Sequence, residues 1–172
     1  MIHVSEDEIR QGLREVLEEM GIEEEKLDLQ ILVKPLVSLV NRMNIRVGFN
    51  ANATVFAGDL KTSNMFGEVL AKTIEKWFPD CCAVTGERSI YNRKNWSEKE
   101  KAFKLLLVKG YEALSLDKLH DTLSEFEKNG WNPTVILCTT EKVFEKMRRY
   151  ENGEYRLFYS LCGYKVMIPE MG

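Results

Sequence analysis

The chain has two histidines, four cysteines and four prolines in 172 residues, and no long uncharged apolar run. Each scarcity closes a class of function. With His3 and His120 the only imidazoles, a histidine-rich metal centre is excluded. His120 lies between Asp117 and Asp121, which share one helical face, the pattern of an exposed helix surface. Cys81, Cys82, Cys138 and Cys162 form no C-x-x-C pair, which indicates reduced thiols rather than a disulfide framework or a zinc site. Cys138 and Cys162 have apolar neighbours and read as small core residues. No stretch is long and apolar enough to span a bilayer. The opening MIHVSEDEIR lacks the basic-then-apolar layout of a secretory leader, so a cytoplasmic protein without a membrane partner is expected.

Catalytic patterns are equally sparse. GERS (86–89) and AGDLKTS (57–63) have too few glycines to supply a cradle of backbone amides, and neither is expected to join a strand cleanly to a helix. No serine lies in a G-x-S-x-G elbow. Cys81 and Cys82 follow a predicted helix end, where the dipole raises a thiol pKa rather than lowering it. Glu23, Glu24 and Glu25 fall on a polar turn without the apolar walls that tune a general acid. The expectation is a protein that is not an enzyme, with no cofactor, no metal and no small-molecule substrate.

What is present is an ordinary globular composition, 44% hydrophobic and 30% charged, which excludes a disordered chain. The net charge of −3 offers no bulk attraction to nucleic acid, but the charge is uneven. Residues 5–28 are acidic and residues 88–109 basic.

Ser5 and Glu8 form a capping box, and Ile9, Leu13, Val16, Leu17 and Met20 recur at helical spacing until Gly21. LDLQILVKPLVSLVNRM reads as a strand running into a helix or as a kinked helix, with a helix over 35–42 favoured and Pro35 in its first turn. Ile45, Val47 and Phe49 alternate, NAN interrupts, and Thr54, Val55 and Phe56 resume, which predicts a projecting β-hairpin over 45–57. A helix follows over 64–78, stopped by Pro79. TGERSIYNRKN reads as an exposed loop, and SEKE from Ser97 as the cap of a helix through Val108. Ser115 caps a helix with Leu116, Leu119, Leu123 and Phe126 on one face and Gly130 as its stop. PTVILCT is a buried strand, and Val143, Phe144 and Met147 mark a helix after it. YRLFYSL and YKVMIPE flank Gly163 as two short strands.

Two surfaces draw functional readings. Arg88, Arg93, Lys94, Lys99, Lys101, Lys104 and Lys109 accompany Tyr91 and Trp96, the mix that holds a nucleic-acid backbone and stacks on bases. The same residues also fit a solvated face, or a patch for the acidic first helix of another copy. The terminus carries Tyr155, Phe158, Tyr159, Tyr164 and Met167, residue types enriched at protein interfaces and equally suited to completing a core.

The stretch 115–172 resembles the axial domain of tailed-phage major capsid proteins and encapsulins. The likeness rests on LSLDKLHDTLSEFEKNGWNPTVILCTTEKVFEKM followed by RRYENGEYRLFYSLCGYKVMIPEM. Asn132-Pro133 precedes the strand, and Leu161, Gly163, Tyr164 and Val166 match the closing pattern of that family. The resemblance implies an α+β fold: a helical part with a projecting hairpin over 1–110 and a mixed α/β axial-type domain over 111–172, the two forming one continuous structural unit. It implies a shell-forming structural protein, cytoplasmic or virion- and prophage-encoded, that assembles with copies of itself around cargo or nucleic acid on an inner face. Contact is then expected through Phe49, Asn50 and Asn52 of the hairpin, Arg93, Lys94 and Trp96 of the basic segment, and Tyr159 and Tyr164 of the terminus. The alternative function is a nucleic-acid-binding protein using the basic 88–109 segment.

Overall fold

A computed structural model describes residues 3–45, 52–91, 103–112, 115–148 and 163–170. The chain mixes helix and strand, as expected, and its strands form one five-stranded parallel sheet. Two helices lead, α1 (Glu6–Glu19) and α2 (Gln30–Ile45), with a short 3₁₀ turn at Glu24–Lys26 between them. Strand and helix then alternate: β1 (Ala53–Ala57), α3 (Leu60–Ile74), β2 (Cys82–Gly86), α4 (Glu87–Tyr91), β3 (Leu105–Lys109), α5 (Leu116–Lys128), β4 (Thr134–Thr140), α6 (Glu141–Arg148) and β5 (Tyr164–Met167). The spatial order is β2-β3-β4-β1-β5.

Side-chain alternation divides the interior into two cores. Val55, Leu107, Ile136, Cys138 and Val166 face α1, α2 and α3, where Leu13, Leu17, Leu36, Leu39, Phe66 and Leu70 meet them. Phe56, Leu106, Val108, Val135 and Leu137 face the opposite way, onto Ile90, Leu116, Leu119, Phe126 and Val143 of α4, α5 and α6. Strands buried on both faces read as unbroken apolar runs, which is why LLLV and VILC do not alternate.

Local signals explain several boundaries. Ser5 accepts the Glu8 amide at 3.2 Å while Glu8 accepts the Ser5 amide at 3.2 Å, the expected capping box. Gly21 has φ +69°, and the amides of Gly21 and Ile22 close α1 on Glu18 and Leu17. Ser115 caps α5 through the Lys118 amide at 3.1 Å, and Gly130 (φ +81°) stops it.

Four expectations are corrected. The second arm of the expected hairpin, β1, pairs in parallel with β4 on one side and β5 on the other, so among the described residues both its edges are taken. Ile45 ends α2, and residues 46–51 lie outside the described residues. The helix expected through Val108 ends in a strand, β3, because apolar residues at every position need cover on both faces. The expected loop at TGERSIYNRKN holds the end of β2 and all of α4, anchored by buried Ile90 and Glu87. Helix α2 begins at Gln30, which places Pro35 inside it at the cost of a helical hydrogen bond. The sheet also takes β1, β2 and β3 from the N-terminal side of residue 110 and β4 and β5 from the C-terminal side. The expected strand YRLFYSL lies outside the described residues.

Candidate functional site

An open doubly wound sheet takes its ligands outside the carboxyl ends of the strands, where adjacent strands send the chain to opposite faces. Here that point lies between β1 and β4. The chain leaves β1 for α3 on the first face and leaves β4 for α6 on the second.

Gly58 and Asp59 are the entire connection between β1 and α3. AGDLKTS therefore does join a strand to a helix, contrary to expectation, and so does GERS between β2 and α4. Loop length is what separates this junction from a phosphate-binding loop. The G-x-x-x-x-G-K-[ST] pattern sets a run of residues between its first glycine and its lysine, whereas only Asp59 and Leu60 separate Gly58 from Lys61.

The first-turn amides of a helix attract an anion. In α3 the chain supplies its own. Asp59 is extended (φ −139°, ψ 160°), and its carboxylate accepts the Thr62 amide at 2.7 Å and the Thr62 hydroxyl at 3.1 Å. These bonds hold the Asp59 carboxyl below the usual carboxylate range. Its backbone carbonyl accepts the Ser63 amide at 3.1 Å, and the Ser63 hydroxyl donates to the Val55 carbonyl at 2.8 Å.

Neighbouring groups are tied down in the same way. Lys109, at the end of β3, pairs with Glu68 of α3. The Gly110 amide donates to Asn64 Oδ1 at 2.9 Å, and the Glu112 amide to Glu87 Oε2 at 2.9 Å. Tyr111 donates its amide to the Cys138 carbonyl at 2.7 Å and its hydroxyl to the Ser115 carbonyl at 3.1 Å. Burial pushes the Tyr111 phenol well above its ordinary range. One group is left over: the Thr139 hydroxyl, 1% exposed at the end of β4, has no hydrogen-bond partner among the described residues.

The residues expected to make contacts are placed differently. Asn52 lies at the amino end of β1, where its Oδ1 accepts the Val135 amide at 3.0 Å and its carbonyl accepts the Tyr164 amide at 2.8 Å. It joins β4 to β5. The Tyr164 ring packs on the first core, and its hydroxyl shares a hydrogen bond with Ser38 of α2. Phe49, Asn50, Arg93, Lys94, Trp96 and Tyr159 lie outside the described residues. Of the basic segment, Lys104 stands over the Phe78 ring before β3 begins, while Lys109 is paired where β3 ends. Tyr91 lies beneath Lys118, 4.6 Å from Nζ to ring centroid. Lys104, Lys109 and Tyr91 thus serve separate local contacts, and Arg88 is exposed.

Burial raises the thiols of Cys81, Cys82 and Cys138 to about 12. Among the described residues no cluster of metal-ligating side chains forms, and no helix is long and apolar enough to cross a membrane. His120 and Asp121 are exposed, with Nδ1 3.8 Å from the carboxylate.

Fold and site together define a doubly wound α/β domain in which, among the described residues, Asp59, Asn64, Glu87 and Lys109 at the carboxyl edge are engaged by groups of the chain itself. No protein-family model, curated protein or solved structure matches the chain.

Proposed function

We propose that this chain is a non-enzymatic protein that works by association with copies of itself. One observation carries the reading. At the carboxyl edge of the sheet, groups that a ligand would meet are already engaged: Asp59 with Thr62, Lys109 with Glu68, Asn64 with Gly110 and Glu87 with Glu112. A phosphate oxygen entering at α3 would face a carboxylate in its place. With these groups committed inward, the two sheet edges are outward features among the described residues. The edge strands β2 and β5 carry the exposed large apolar side chains Val84 and Met167.

The likeness of 115–172 to shell subunits suggests the form of association, copies packed into a closed particle. Light scattering over a range of concentrations, joined to negative-stain images, tests this. A mass above the 19.9 kDa monomer that grows with concentration is expected. A mass of 19.9 kDa at every concentration contradicts it.

A further inference from the structure

The two edges of the sheet differ in charge. β5 carries Lys165 at its middle, a residue that blunts an edge against its own copy. β2 is Cys82-Ala83-Val84-Thr85-Gly86, with no charge along its length. Its outer edge has no strand paired to it among the described residues, and Val84 at its centre is 53% exposed. Val84 pairs with Leu107 of β3 and so points to the α3 face of the sheet, where α3 covers β3, β4 and β1.

We infer that β2 is a self-complementary edge that pairs antiparallel with β2 of a second copy, centred on Val84. A two-fold interface sets each surface against itself, so it tolerates only a strand without like charges at facing positions. β2 meets that condition. In the pairing Ala83 faces Thr85 of the other copy and Cys82 faces Gly86, while the two Val84 side chains lie side by side on one face. The flanks are complementary as well. Asp80 and Arg88 are exposed just beyond opposite ends of β2, and an antiparallel pair brings the end that bears Asp80 beside the end of the other copy that bears Arg88. This inference rests on the reading that the chain associates with itself, and it names the surface.

The test uses the full chain. Directly facing residues of an antiparallel pair have Cβ atoms about 4.5–5.5 Å apart. A cysteine at the central position is therefore within reach of a disulfide after slight adjustment. Val84→Cys, made with Cys82→Ala to silence the neighbouring thiol, is expected to form a covalent dimer under mild oxidation, while Cys82→Ala alone does not. Val84→Lys sets two ammonium groups together, and the mass of the assembly is expected to fall. Because Val84 is exposed, an unchanged circular dichroism spectrum is expected for both variants. A parent that is oligomeric by light scattering, with no Val84→Cys cross-link and no effect of Val84→Lys, overturns the β2 edge and leaves self-association standing through another surface. A monomeric parent overturns both.

Discussion

Gly67 of α3 lies against Cys138 of β4 so closely that a β-carbon on Gly67 would overlap the cysteine sulfur. Leu107 of β3 lies at the same point, 3.1 Å from where that carbon would stand. A glycine inside a helix costs about 1 kcal/mol against alanine, so its presence here is explained by the close approach of helix and sheet. That approach sets α3 and its Asp59 cap over the carboxyl edge. Gly67→Ala is expected to destabilise the protein, because overpacking of about 1–3 kcal/mol exceeds the gain in helix propensity. Cys138→Ala in the same chain should restore part of the loss. A double-mutant cycle with denaturant checks this, and strictly additive effects would contradict the contact.

Gly163 holds the other edge of the first core. Its φ is +61°, and a β-carbon there would overlap the Asn52 carbonyl that receives the Tyr164 amide. Gly163→Ala is expected to cost at least ~2 kcal/mol and to loosen β5 from β1. Hydrogen exchange of the Tyr164 amide should rise far more than that of Leu107 in β3.

The Asp59 cap gives a pH signature. Its folded pKa is depressed, first by the Thr62 amide and then by the Thr62 hydroxyl. Its contribution is therefore full above the unfolded carboxylate value of about 3.9 and is lost as pH falls through the folded value. Asp59→Ala should lower the melting temperature at pH 7, with a gap that closes in acid. Asp59→Asn still accepts the Thr62 amide at every pH and should lose less.

The unpartnered Thr139 hydroxyl invites an isosteric change. Thr139→Val removes a buried oxygen without a partner and keeps the branched shape suited to β4. A gain of about 1 kcal/mol by thermal melting is expected. A loss would show that the hydroxyl has a bonding role.

Much of the fold is legible because its signals are local. The Ser5 and Ser115 caps, the Gly21 and Gly130 stops and the spacing of Ile9, Leu13, Val16 and Leu17 each lie within a few residues of what they determine. The sheet is not legible in that way. Ala53 is bordered by Ile136 and Tyr164, and nothing near Ala53 announces partners so distant in the chain. Alternation around NAN looks like a hairpin for the same reason: the pattern marks a strand but not its partner. At the crevice the error is one of boundary. A helix start at Asn64 rather than Leu60 leaves Asp59 in the connection and hides its role as cap. The usable signal is Asp59 three residues before Thr62, directly after the apolar run ending at Ala57.

The proposal that the crevice takes no ligand is tested most directly by melting the protein over a series of magnesium–ATP and magnesium–GTP concentrations, from micromolar to millimolar. A bound ligand raises stability by RT ln(1 + [L]/Kd), about 2.7 kcal/mol at a hundredfold excess over Kd. With Asp59 already on the α3 amides and Lys109 held by Glu68, the expected melting temperature is the same at every concentration. A rise that saturates with either nucleotide would contradict that proposal and the non-enzymatic reading built on it.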